Sequence, residues 1–180
     1  MYSKLKIPLF ALAAALLTIM GCTGKQVPYT TIEGFAQGGT FRLVYRPNAN
    51  DSAKYLPDSL KIWFNRIDKS LSGYDTTSLV SQINRGENPP LDSLFIECFN
   101  LSKEVYLATE GAFDISAAPL FDIWGFGFKS GEKPTPEKID SLKKFIGMDK
   151  LSIAYDSAAN ASYLLKSDNR MQINFNAIAQ

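Results

Sequence analysis

The chain's apolar positions change period as it runs. Between residues 30 and 45, Phe41, Leu43 and Tyr45 alternate with Arg42, Val44 and Arg46, and Gly38-Gly39 interrupts the run. That is the partial period of two expected of strand structure. Leu56, Leu60, Trp63, Phe64, Ile67 and Leu71 then fall at helical spacing, with Pro57 suited to a first turn, which predicts a helix over 57–71. A second helix is expected over 92–109, where Leu94, Phe95, Cys98, Phe99, Leu101, Val105 and Tyr106 supply a broad apolar face and Gly111 a stop. Thr135-Pro136 opens a third, with Ile139, Leu142 and Phe145 as its stripe and Gly147 as its close.

Strand-like runs return at 151–155, 162–166 and 171–175, separated by the turn-forming clusters 156–160 and 167–170. Strands, then helices, then strands around one core argue for an α+β domain over 30–180. The last residues, Ile173 to Gln180, read as a strand end running into a turn of small residues. A domain rarely stops there without a closing element, so the expectation is a domain truncated on its C-terminal side.

The opening residues have a different character. Lys4 and Lys6 precede an apolar run from Ile7 to Met20. That run is shorter than the ~20 residues a membrane-spanning helix needs, and it reads as an export signal over 1–21. Ile19-Met20-Gly21-Cys22 resembles the lipobox of bacterial lipoproteins, which makes Cys22 the expected lipidation site and 22–29 a short tether. An ordinary cleaved signal and a buried N-terminal helix are the alternatives. The reading implies an exported protein, lipid-anchored to a bacterial cell membrane and facing the periplasm or exterior.

Composition narrows the chemistry. The formal net charge is +1, with no basic cluster, so no nucleic-acid face is expected. The sequence contains no His, which excludes a His general base and His metal ligands within it. Beyond Cys22 the sequence holds only Cys98, so no intramolecular disulfide is expected.

Four segments carry more specific residues than packing requires. The first is Gly34-Phe35-Ala36-Gln37-Gly38-Gly39-Thr40, whose plain explanation is a hairpin turn. The second runs from the end of the first helix through Leu71-Ser72-Gly73-Tyr74 to Ser78-Leu79-Val80-Ser81-Gln82-Ile83-Asn84. Tyr74 there could stack on a planar ligand or simply pack on the surface. The third, Gly111-Ala112-Phe113-Asp114 continuing to Pro119-Leu120 and Trp124-Gly125-Phe126-Gly127, suits a planar ligand with polar edges, or a structural turn with core aromatics. The fourth is Asn174-Phe175-Asn176-Ala177-Ile178-Ala179-Gln180, otherwise a plain turn.

In order and spacing the four together resemble the ApbE family of FAD:protein FMN transferases. The first is similar to the family's Ala-Met-Gly-Thr-Thr, with Gln37 where Met is common. The second resembles its Leu-Ser-x-Tyr and Ser-x-x-Ser-x-x-Asn. The third resembles Gly-Ala-Phe-Asp, Pro-Leu and Trp-Gly-Phe-Gly, and the fourth Asp-Leu-Gly-Gly-Ile-Ala-Lys, with Asn174 for Asp and Gln180 for Lys. The resemblance implies a T-fold-like domain that binds FAD and Mg²⁺ and moves FMN to a Thr hydroxyl of an acceptor protein, releasing AMP. The acceptor it implies is a subunit of a membrane electron-transfer complex.

It further implies FAD contacts at Gln37, Tyr74, Ala112, Phe113, Asp114, Asn174 and Gln180, and a metal ligand in the Ala177 backbone carbonyl. The family's carboxylate and Thr metal ligands and its catalytic residues correspond to positions beyond Gln180, so no catalytic residue is assigned. A FAD pyrophosphatase and a flavin-binding lipoprotein without activity are the competing readings.

The anchor has a direct test. Cys22→Ala is expected to move the exported protein from the membrane fraction to the soluble exported fraction. Retention on membranes in high salt, resistant to mild detergent, would refute the lipid anchor.

Overall fold

The computed structural model describes residues 27–47, 55–126 and 134–179. The expected export signal, Cys22, the first part of the tether, the 48–52 loop, Gly127 and Gln180 lie outside the described residues.

β1 (Thr30–Ala36) and β2 (Gly39–Tyr45) form an antiparallel hairpin in which Ala36 pairs with Gly39 across a two-residue turn. One face is half-buried, with Ile32, Gly34 and Ala36 opposite Phe41, Leu43 and Tyr45, and the other is exposed. Gly34 is needed on the inner face, because a Cβ there would stand 2.7 Å from the Phe41 ring. Phe41 in turn meets Phe64 of the following helix, ring centres 5.0 Å apart. That contact joins the hairpin to the helical layer.

Helix α1 (Leu56–Leu71) has Pro57 in its first turn, as the sequence predicts. Its inward stripe runs through Leu60, Phe64, Ile67 and Leu71. Trp63 lies one position off that stripe and is exposed, with the Arg66 guanidinium 4.5 Å above its ring. The second expected helix is α3 (Ser93–Ala108), capped by the Asp92 carboxylate, which accepts from the Phe95 amide at 2.8 Å. The same Asp92 oxygen accepts from the buried Ser70 hydroxyl at 2.9 Å, tying the end of α1 to the start of α3.

Helices α2 (Leu79–Asn84) and α4 (Ala118–Ile123) do not emerge from hydrophobic spacing, because each is too short to display a helical period. Helix α5 (Pro136–Lys143) begins at the expected Thr135 cap. It ends before the expected close at Gly147, which instead, at φ +134°, starts a 3₁₀ turn over Met148–Lys150. That turn leads into the second hairpin, β3 (Leu151–Asp156) with β4 (Ala161–Lys166). The α+β order of strands, helices and strands is borne out.

The third late strand is not a strand. Met171, Ile173, Asn174 and Phe175 are buried, yet among the described residues 171–175 join no sheet. Alternating apolar residues suggest a strand, but among the described residues no other strand pairs with them. Their polar groups are answered piecemeal. The Asn84 side-chain amide donates to the Ile173 carbonyl at 2.9 Å and accepts from its N–H at 2.8 Å, reproducing with one side chain what a paired strand would supply. The Asn174 N–H donates to the Ile115 carbonyl at 2.9 Å. The Lys166 ammonium donates to the carbonyls of Ile83, Asn169 and Met171 at 2.9 to 3.0 Å.

Met171, Ile173 and Phe175 then complete a core with Val80, Ile83, Phe95, Phe99, Ile115, Met148 and Leu151. Phe175 meets Phe95 edge-on at 5.2 Å. Cys98 is a free, buried thiol, pushed up to about 11 by desolvation and then by Glu97.

Asn84→Ala would leave both backbone groups of the buried Ile173 unpaired, which should cost about 2–4 kcal/mol of unfolding free energy. An exposed control, Asn88→Ala, should stay within about 0.5 kcal/mol. Denaturant titration of both variants checks this, and equal stabilities would show that the amide bridge contributes nothing.

Candidate functional site

A cleft of about 740 Å³ opens where the first hairpin, the end of α1 and the terminal segment meet. Its apolar wall is Phe35, Ile67 and Leu71. Its polar rim comprises Gln37 from the hairpin turn, Ser72 and Tyr74 from the turn after α1, and Asn176 from the terminal segment. The volume and the mix of apolar floor and few polar groups are those of a small-molecule site. Three of the four segments singled out in the sequence therefore converge on one concavity.

Gln37 and Gly38 have φ of +51° and +79°, the left-handed pair of a type I′ hairpin turn. Gly suits that region, whereas Gln is held there at some cost, at the mouth of the cleft.

Tyr74 is 69% exposed on the turn linking α1 to α2. The Ser72 hydroxyl accepts from the amides of Tyr74 at 3.1 Å and Asp75 at 3.2 Å. The Ser78 side chain caps α2 by accepting from the Ser81 amide at 3.0 Å, and its hydroxyl donates back to the Ser72 carbonyl.

Asp75 also lines the cleft. Its hydrogen bond with the Thr77 hydroxyl, and then the Lys69 ammonium, hold its carboxyl down from the ordinary 3.8 to about 2. Because the folded value is the lower one, its stabilising contribution is present above pH 3.8 and is lost as pH falls toward 2.

The described residues of the third segment do not line the cleft. Ala112 is exposed, and Phe113 packs against the core. The Asp114 carboxylate is engaged within the protein. One oxygen accepts from the Ser116 amide at 2.7 Å and hydroxyl at 2.6 Å, the other from the Met148 amide at 3.2 Å. Asp114 thereby caps the 3₁₀ turn Ile115–Ala117 and joins it to the Met148–Lys150 turn. Asn174 is buried, and its side-chain oxygen accepts from the Asn176 amide at 2.7 Å, which turns the chain toward the cleft. Ala177 is exposed between the cleft residues Asn176 and Ala179.

Among the described residues no group of three or more His, Cys, Asp or Glu converges. Asp68, Asp75, Asn176 and Ala179 line the cleft without having been singled out individually in the sequence. For Asp68 the only signal is a polar residue in the last turn of an amphipathic helix.

The family model for ApbE matches residues 38–180, and the chain belongs to the ApbE family. It is 24% identical over 181 residues to the FAD:protein FMN transferase of Haemophilus influenzae, covering 94% of this chain and 51% of that protein. It is 26% identical over 183 residues to the protein of the same name from Escherichia coli K12, with the same coverage. The chain thus spans about half the length of these curated relatives. Among solved structures it superposes on the apo form of the Pseudomonas stutzeri flavinyl transferase ApbE with a TM-score of 0.75 and 28% identity, over 86% of this chain and 51% of that one. The flavin transferase ApbE from Vibrio cholerae shares the fold at a TM-score of 0.73 and 22% identity.

Gln37→Asn places Asn-Gly in the type I′ turn, the pairing that geometry favours. It should raise unfolding stability by about 0.5–1 kcal/mol by relieving the left-handed Gln. Thermal melts test this, and a lower melting temperature would mean the Gln37 side chain makes contacts that outweigh the strain.

Proposed function

We propose that this protein is a FAD:protein FMN transferase, and that the cleft between the first hairpin, the Tyr74 turn and the terminal segment takes part of FAD. The convergence of Gln37, Tyr74 and Asn176 on one concavity carries the reading. Tyr74 offers an aromatic face for stacking, and Phe35, Ile67 and Leu71 an apolar surface for a ring system.

In the reaction, an acceptor Thr oxygen bonds to the FMN phosphorus, the bond from that phosphorus to the bridging oxygen breaks, and AMP leaves with the bridging oxygen. The Thr proton passes to a base. The described cleft contributes binding and orientation, which supply much of the rate in phosphoryl transfer.

Mg²⁺ is proposed as the accompanying ion, with the Ala177 carbonyl among its ligands. When bound it neutralises charge on the phosphoryl oxygens. The charge balance of the cleft supports this, since Asp68 and Asp75 line it and the Lys69 ammonium is paired with Asp75 at 2.9 Å. A pyrophosphate in such surroundings needs a cation. Lipid anchoring at Cys22, and an acceptor within a membrane electron-transfer complex, belong to the same proposal.

A flavin-binding protein without turnover is the second reading, favoured by the neutral Asn174 and Gln180 where the family motif carries charge. One assay separates the possibilities. The intact protein is incubated with FAD, Mg²⁺ and a candidate acceptor, and AMP, free FMN and acceptor-bound flavin are measured. AMP with flavin on the acceptor is expected. AMP with free FMN alone would make it a pyrophosphatase, and bound FAD without AMP a flavin carrier.

A further inference from the structure

The turn that carries Tyr74 is tied far more heavily than a surface connection between two helices requires. One oxygen of the Asp75 carboxylate accepts from the Thr77 amide at 2.8 Å and from the Thr77 hydroxyl at 2.7 Å. The other oxygen accepts from the Lys69 ammonium at 2.9 Å, and that ammonium also donates to the Thr77 hydroxyl at 2.7 Å. Three side chains thus close a ring across the turn, rooted through Lys69 in the last turn of α1. Farther along, the Gln82 amide donates to the Thr77 carbonyl at 2.9 Å and the Arg85 guanidinium to the Thr76 carbonyl at 2.6 Å.

Stabilisation alone does not account for this wiring. Ordering a residue costs about 1–2 kcal/mol. An exposed ion pair returns only about 0–1 kcal/mol. The apex buries little, with Tyr74, Thr76 and Thr77 all exposed. What the ring does accomplish is to hold the turn in one shape. A ligand meeting a rigid apex does not have to order it, and so binds more tightly for the same contacts.

We propose that Asp75, braced by Lys69, is a positioning residue for Tyr74, fixing the 72–77 turn so that the tyrosine stands at the cleft rim before ligand arrives. The inference rests on the flavin reading of the cleft. Asp75 acts through Tyr74, so its contribution to binding vanishes when the tyrosine is absent.

A double-mutant cycle on the intact protein tests this, with FAD affinity read from flavin fluorescence and far-UV circular dichroism confirming the fold. Tyr74→Ala is expected to weaken FAD roughly tenfold, within the range of base–aromatic stacking. Asp75→Ala is expected to weaken it severalfold, and Asp75→Asn, which keeps an acceptor for Thr77, by less. Adding Asp75→Ala to Tyr74→Ala should weaken binding no further. If Asp75→Ala weakens FAD by the same factor with and without Tyr74, the inference is overturned, although the flavin reading stands. If the parent protein fails to bind FAD, both fall. Should Asp75→Ala lose its fold, Lys69→Met replaces it in the cycle with the same expectations.

Discussion

Ile173 is fully buried and, among the described residues, pairs with no strand, so the packing around it depends on how its backbone is answered. An unpaired buried N–H or C=O costs about as much as a lost hydrogen bond, a sizeable share of a domain's net stability. Asn84 meets both groups with one carboxamide. Around that bridge, Met171, Ile173 and Phe175 enter the core, where Phe175 packs against Phe95. The Lys166 ammonium collects three carbonyls, one from the end of α2 and two from Asn169 and Met171, and closes the other end of the segment. Burial holds its pKa below the ordinary lysine value, with the Asp168 carboxylate offsetting part of that shift. Without these polar ties, the hydrophobic gain of burying 171–175 would be largely cancelled.

The bridge also explains why the cleft has a defined shape. Asn84 is the last residue of α2, and Ser78 caps its first turn. Ser78 and Ser81 both donate to the Ser72 carbonyl, at the root of the turn that carries Tyr74. Residues three apart lie near one another on a helix. The spacing of Ser78, Ser81 and Asn84 thus lets one short helix index two walls of the cleft, the Tyr74 turn at one end and the terminal segment at the other. Ser-x-x-Ser-x-x-Asn is therefore architecture here. It sets the distance between groups that line the site without lining it itself.

Long periodic elements were legible in the sequence because they bury one continuous stripe. Helix α1, helix α3 and both hairpins follow from spacing, caps and turn residues. Helices α2 and α4 span less than two turns, and a period cannot be seen over so few residues. The 171–175 segment misleads for a different reason. An alternating apolar pattern in the sequence is shared by strands and by buried segments that join no sheet, and only a paired neighbouring strand distinguishes them. For the site, the convergence of Gln37, Tyr74 and the terminal turn was readable as a set of motifs. The commitment of Asp114 to Ser116 and Met148 was not, because Met148 lies far along the chain. The Lys69–Asp75–Thr77 ring was equally hidden, since each member looks like an ordinary surface residue.

The neutral Asn174 takes on a specific meaning once its surroundings are known. It is buried, and its oxygen accepts from the Asn176 amide to form the turn that brings Asn176 and Ala179 to the cleft. That task requires an acceptor and not a charge. A carboxylate at the same place would also accept that hydrogen bond, but keeping its charge out of water costs several kcal/mol unless it is protonated or a cation lies close by. Asn retains the hydrogen bond and removes that requirement. The same economy runs through the cleft, where Asp75 is neutralised by Lys69 and Tyr74, Phe35, Ile67 and Leu71 supply aromatic and apolar surface. Binding by these residues should respond weakly to salt, because it draws on stacking and burial. Any grip on phosphate must come from charge that this wall of the cleft does not provide. The described residues of the cleft therefore offer an aromatic face and an apolar surface, with Asp68 and Asp75 as the acidic side chains lining it.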